Sequence, residues 1–244
     1  MTDVASMLAE DHHVHSTYSD DATSPLADNV AAARIRGLHT MCLSEHVRAD
    51  TTWLAEYARA ARSAADRAEL VVLCAVEAKM LDSSGRLDLP DELPALDRVL
   101  IADHQYPGRD GPVSPGEIRR RLAGGELAAG HVVETIVLAT ARAMRRVHSG
   151  QLAHLFSVLP KLGLTEDDVG TDELRLLAET ARETGTVLEV NEKWRCPGPA
   201  ALAEFMAAGV TVVPSSDSHR AEDIGAFRRV PALVAGGNAL GTHR

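Results

Sequence analysis

The stretch DHHVHSTYSDD at residues 11–21 sets three histidines and three aspartates within eleven positions. Side chains of the same kinds recur further along: His46 in SEH, Glu77 after VVLCAV, His104 after VLIAD, His154 ending QLAH, Glu189 and Asn191 in TVLEVN, and Asp217 and His219 in SSDSH. Imidazoles mixed with carboxylates suit zinc, manganese or iron, whereas calcium and magnesium prefer shells made wholly of oxygen. No thiolate joins the set. The inventory exceeds what one tetrahedral ion needs, so two or three metals sharing a carboxylate is the economical reading. Glu77, an acid that directly ends a long apolar run, is the natural bridge.

Residues so far apart in the chain need a scaffold that gathers them. Short apolar runs alternate with amphipathic segments, with no repeat or long linker, which is the pattern of an α/β fold with a largely parallel sheet. The runs predict about seven strands, at 12–15, 40–44, 70–76, 99–102, 151–155, 186–190 and 210–214. Each ligand-type residue falls at the C-terminal end of one of these runs. His13 and His15, two apart, point to one side of their strand, and His12 points to the other and reads as structural. In a parallel α/β barrel the C-terminal strand ends converge on one face, where catalytic groups assemble. One histidine at a strand end is ordinarily a hydrogen-bonded core or loop residue. Six of the eleven histidines arriving at one face need a common cause. His39, His131, His148 and His243 lack that context and read as surface or packing residues.

The helices between strands carry their own punctuation. Ser24 and Pro25 supply an N-cap and a first-turn proline before a helix at 26–36, with Gly37 suited to the left-handed position after it. Thr171 opens a helix that Gly185 closes, and Ser114-Pro115-Gly116-Glu117 has capping-box spacing. Trp53, Tyr57, Ala61 and the Ala64/Ala65 pair recur at helical spacing and mark core packing. The glycine, proline and charge of residues 106–112 predict a loop at one mouth of the domain.

At 244 residues the chain fits one large barrel-class domain or two small ones. Its net charge of −10 argues against a sequence-independent hold on nucleic acid, which rests on lysines and arginines. Cys42, Cys74 and Cys196 signal neither a disulfide framework nor a thiolate zinc site. Without a basic-then-apolar leader or a run of eighteen apolar residues, the chain reads as cytoplasmic, with no membrane partner.

Taken in order, DHHVHSTYSDDA, LSEH, AVEAKM, IADH, LAH, LEVN and SSDSH resemble the PHP (polymerase and histidinol phosphatase) superfamily, over residues 11–225. SEH, with glutamate before His46, resembles the histidinol-phosphatase branch. The resemblance implies a single domain, a distorted (β/α)7 TIM-like barrel with a trinuclear site of zinc, iron or manganese. It assigns His13, His15, Glu77 and Asp217 to one metal, Glu77, His104 and His154 to a second, and His46 and His219 with an N-terminal acid to a third. Asp20 matches the aspartate of the family's usual SDG and is the favoured acid, although Asp21 stands where histidinol phosphatases carry a histidine. Glu189 and Asn191 match the family's E-x-N and would orient the site. Asn191 could equally satisfy neighbouring backbone groups.

The chemistry so implied is hydrolysis of a small phosphomonoester, with a hydroxide held between two metals attacking phosphorus. Asp217 and His219 would relay the leaving-group proton. Phosphate also calls for guanidinium: Arg195 first, on the loop where histidinol phosphatases recognise phosphate, then Arg220 and Arg48, with Lys79 and Lys193 behind them. Histidinol phosphate is the leading substrate candidate. Two other readings stay open: an amidohydrolase or lactonase using the same metals, and a catalytically inactive binding module.

Overall fold

The computed structural model describes the backbone of residues 4–241 and side chains from residue 6 to 235, so His243 lies outside the described residues. A single helical turn, α1 (Val4–Met7), precedes the first strand. All seven expected strands form: β1 (Glu10–Val14), β2 (Thr40–His46), β3 (Val71–Lys79), β4 (Arg98–Ala102), then, after a hairpin of β5 (Tyr106–Gly108) and β6 (Gly111–Val113), β7 (Gly150–Ala153), β8 (Val187–Asn191) and β9 (Val212–Ser215). They make one parallel sheet in the order β1-β2-β3-β4-β7-β8-β9. The sheet nearly closes on itself, since Val14 bridges Ser218 in parallel and the His15 N–H donates to the Ser218 carbonyl at 2.8 Å. Surrounding helices complete a distorted TIM-like barrel in a single α/β domain.

Helices α2 (Leu26–Ile35), α3 (Leu54–Ala65), α4 (Pro115–Ala123), α5 (Ala129–Met144), α6 (Leu159–Leu162), α7 (Thr171–Thr184), α8 (Pro199–Ala207) and α9 (Val230–Gly241) cover the outside. The apolar stripe of α3 packs as its spacing predicts. Tyr57 is fully buried, and its hydroxyl lies 2.8 Å from the carbonyl oxygens of both Leu43 and Ala75, which pins the helix to β2 and β3. Small side chains, among them Cys42, Ala75, Ala102 and Ala153, fill a separate cluster on the barrel strands. No helix among the described residues is long and apolar enough to cross a membrane.

Three local expectations change. Ser24 does not cap α2; its hydroxyl accepts from the Ala221 N–H at 2.9 Å, tying the loop after β9 to the start of α2. Residues 106–113 form an antiparallel hairpin instead of an irregular loop, with Tyr106 paired to Val113. And strict alternation fails on β1. Asp11 pairs with Met41 but Val14 with Leu43, so β1 carries one more residue than β2 there, a β-bulge. His12 is therefore not turned away from the partners of His13. It meets Arg98 at 2.9 Å and Glu10 at 2.6 Å, and Gln151 links its carbonyl to Glu189, the partner of His13. Its role is structural, as expected, but inside the barrel.

Glu166 fixes the long loop after β8. Its carboxylate accepts from the Gly198 N–H at 2.7 and 2.8 Å at the N-terminus of α8, so close that a Cβ on Gly198 would meet Glu166 Oε2 at 2.9 Å. Burial pushes this carboxyl up to about 7 against those hydrogen bonds. Between pH 4.5 and about 7 the folded chain thus holds a proton that the unfolded chain has released, and stability falls as pH rises across that window. Glu166→Gln is expected to flatten this part of the stability profile, which urea denaturation at successive pH values measures. The slope removed is at most about 1.4 kcal/mol per pH unit.

Candidate metal centre

The C-terminal ends of the strands bring the six imidazoles to one place. Glu77, at the end of β3 and almost wholly buried, is its centre. Its Oε1 lies 2.9 Å from His154 Nε2 and 3.2 Å from His104 Nε2; its Oε2 lies 2.9 Å from His46 Nδ1, 3.4 Å from His13 Nε2 and 3.5 Å from His15 Nε2. Burial works against charge on Glu77, yet His13 and His104 outweigh it and hold the carboxyl well below the usual range. Among the described residues three groups of atoms are spaced closely enough to hold an ion: His13, His15 and Glu77; Glu77, His104 and His154; and His15, His46 and His219.

Each buried ring is oriented from behind. His13 Nδ1 donates to Glu189 Oε2 at 3.0 Å, and Glu189 also accepts from the His154 N–H, Gln151 and Asn191. His154 Nδ1 faces Asp103 Oδ1 at 3.2 Å, an acid that Ser157 further holds. His15 Nδ1 lies 3.2 Å from the Ser19 hydroxyl, which itself donates to the buried Glu45. Carboxylate behind imidazole fixes the tautomer and frees the other ring nitrogen for a metal. Burial lowers the proton affinity of His154, but its bonds to Asp103 and Glu77 prevail and carry it up to about 10.

The donor set passes a direct test for cations. His13 Nε2 and His15 Nε2 face each other at 2.9 Å, and at most one can carry a proton. Burial, reinforced by the charges of His13 and His46, presses His15 well down, so its Nε2 presents a lone pair beside Glu77. Six rings gathered so closely cannot all be protonated without like-charge contacts; the His15 ring centroid lies 4.3 Å from those of both His46 and His219. Divalent ions resolve that conflict. The chain therefore carries His/Glu clusters able to bind several metal ions.

Asp217 joins from the β9 end with φ +53, and His154 has φ +32, left-handed conformations that cost energy for non-glycine residues and concentrate at working sites. Asp217 Oδ1 lies 3.6 Å from His15 Nε2 and 3.3 Å from Lys193 Nζ, while its Oδ2 accepts from Trp194 Nε1 at 2.8 Å. Asp217, His154, Lys193 and Trp194 line a cavity of about 330 Å³.

The two N-terminal acids lie differently. Asp20 turns towards Arg48 at 3.5 Å, whereas Asp21 places Oδ2 3.4 Å from His46 Nε2 and 3.2 Å from His219 Nε2. The turn after β1 presents the second of the two adjacent aspartates to the cluster. Asp21→Ala is expected to remove about one metal equivalent per chain and to slow turnover at least about tenfold, the low end for lost metal support. Asp20→Ala should leave metal content intact; elemental analysis of both variants decides.

Arg195 is also placed differently from the expectation. It has φ +61, is exposed, and is not among the residues lining the cavity; Lys193 and Trp194 of the same loop are. Arg48 and Lys79 line it, paired with Asp20 and Asp88, while Arg220 lines an adjoining cavity. His39, His131 and His148 are exposed, away from the cluster. Asn191 serves both purposes expected of it, donating to Glu189 and accepting from the Trp194 N–H. Sequence reasoning passes over Asp103, Ser19 and Trp194. Asp103 was signalled by its place directly before His104, but nothing local marks the other two.

Comparison with known proteins gives a family and a fold. The family model described as PHP domain matches residues 11–193. Among curated proteins no sequence matches. A solved structure with the same fold is that of histidinol phosphate phosphatase (HISK) from Lactococcus lactis subsp. lactis Il1403, complexed with Zn, L-histidinol and phosphate. It is 16% identical, covers 96% of this chain and 92% of its own, and has a TM-score of 0.66.

Proposed function

The chain belongs to the PHP domain family, and from that premise, with the geometry of its barrel mouth, we propose that it is a metal-dependent phosphoesterase acting on a small phosphomonoester. The observation that carries the reading is the pair of ring nitrogens of His13 and His15 facing each other at 2.9 Å beside the buried Glu77. Two or three divalent ions of zinc, iron or manganese would be held by His13, His15, Glu77 and Asp217, by Glu77, His104 and His154, and by His46, His219 and Asp21. Bound there, they supply positive charge for the phosphoryl oxygens and lower the pKa of water.

The chain's own residues do the rest. Glu189, Asp103 and Ser19 hold the rings of His13, His154 and His15 in position. Lys193 Nζ, 3.3 Å from Asp217 Oδ1 and 3.2 Å from His219 Nδ1, is the cation placed to meet a phosphoryl oxygen. Asp217 and His219, both at the cavity, are the residues proposed to pass a proton to the leaving oxygen, His219 through Nδ1 because its Nε2 faces Asp21 in the third metal group. The functional unit is one metallohydrolase domain with its core at about 11–225. The L. lactis protein was crystallised with L-histidinol and phosphate, which supports a small phosphorylated substrate here.

The test is elemental analysis of the purified protein together with phosphate release from a panel of phosphomonoesters, with and without chelator. Two or more metals per chain and release that chelator abolishes are the expected results. Metal-loaded protein that releases phosphate from no ester, but cleaves an amide or lactone, would overturn the assignment.

A further inference from the structure

A second cavity, of about 520 Å³, adjoins the one over the imidazole cluster. The two share Lys193, Asp217 and His219, so the second opens beside the groups proposed to serve the leaving oxygen. Its outer wall carries Arg220, Arg228 and Arg229.

The lining side chains carry four cations, Lys193, Arg220, Arg228 and Arg229, against three acids, Glu192, Asp217 and Asp223, and what matters is which cations are already paired. Arg220 is occupied by Glu222 and Asp223, each at 3.4 Å. Glu192 spends its carboxylate on the backbone N–H groups of Arg229 and Val230, at 2.8 and 3.0 Å, which pins the start of α9 to the loop after β8. Asp217 is taken by Lys193 and Trp194. The guanidinium groups of Arg228 and Arg229 are exposed, and neither has an acidic or hydrogen-bonding partner among the described residues. In the metal cavity, by contrast, Arg48 and Lys79 are both paired with acids.

Guanidinium is the side chain best matched to carboxylate and phosphate oxygens. Building on the phosphomonoesterase reading, we propose that the leaving group of the substrate carries a second anionic group, a carboxylate or a phosphate, which Arg228 and Arg229 seat while the scissile phosphate lies at the imidazole cluster. Hydrolysis then breaks the phosphorus–oxygen bond to that leaving group; water supplies the oxygen that ends on phosphorus and the proton that ends on the leaving oxygen. A leaving group bearing an ammonium, as in L-histidinol phosphate, sets like charge against the two arginines.

The test uses the metal-loaded full chain and matched pairs of esters: fructose bisphosphate against fructose phosphate, and phosphoglycerate against glycerol phosphate, with L-histidinol phosphate beside them. The doubly anionic member of at least one pair is expected to show kcat/KM about tenfold higher, and the pair that does so tells phosphate from carboxylate. In Arg228→Ala/Arg229→Ala that ratio should fall towards one through KM, and Arg228→Lys/Arg229→Lys should restore part of it. Circular dichroism checks that the variants fold. A ratio near one in the native enzyme, a ratio untouched by the double alanine variant, or fastest turnover of L-histidinol phosphate would each overturn the second-anion site alone. Phosphate release from none of the esters by protein holding two or more metals would bring down the phosphomonoesterase reading, and this inference with it.

Discussion

Glu77→Gln is expected to lower the metal content from two or more ions per chain to fewer than one, and phosphate release by about a thousandfold, or ~4 kcal/mol of barrier. The reason is the position of one carboxylate. Its two oxygens reach five imidazoles between 2.9 and 3.5 Å, and it belongs to two of the three groups spaced for an ion. An amide keeps the shape but gives up the charge, and its NH2 is a donor that cannot ligate. The rings then face one another around a neutral group, and only partial protonation can relieve them. Elemental analysis and initial rates on the same preparation measure both effects. Retention of two metals with near-native turnover would show that Glu77 neither bridges ions nor organises the site.

The second large effect is on the fold. Glu189→Ala is expected to destabilise the metal-free protein by about 3–5 kcal/mol, the range for breaking a buried charged network from one side. Glu189 is completely buried and accepts from His13, Gln151, Asn191 and the His154 backbone, so its loss strands four donors without water. Burial opposes its ionisation, but the charge and hydrogen bond of His13 overcome that and bring it down to about 2. Its carboxyl is therefore lowered in the fold, and the stability it gives is present above pH 4.5 and is lost as pH falls towards 2. Alanine should remove that acid-side loss. It should also weaken metal binding about 10- to 100-fold by freeing the His13 ring. Urea denaturation with and without metal reads both; a change under 1 kcal/mol would mean that the network relaxes around the gap.

The barrel was legible because its strands are short apolar runs ending in polar residues, and that pattern survives without any knowledge of what packs on them. Glycines that must take positive φ marked helix ends equally well, as at Gly37 and Gly185, with φ of +72 and +69. The longest helix, α5, had no such marks: it begins at Ala128 and Ala129 without a side-chain cap, so nothing local delimits it. On β1, alternation misplaced His12, because a bulge is created by the register with β2 and cannot be read from one strand. Ser24 looked like a helix cap, but the loop that claims its hydroxyl arrives from almost two hundred residues away.

The sequence by itself determined the donor chemistry and the strand ends that carry it, since side-chain type and hydrophobic period are local properties. Only the tertiary structure decided which of two adjacent aspartates faces His46 and His219, that Trp194 rather than Arg195 meets Asp217, and that the Arg228 and Arg229 guanidinium groups stand beside the cavity without a partner among the described residues. Those choices depend on where loops turn and which distant groups claim each charge. Such contacts form only when the β1, β8 and β9 ends are brought together by closing the barrel.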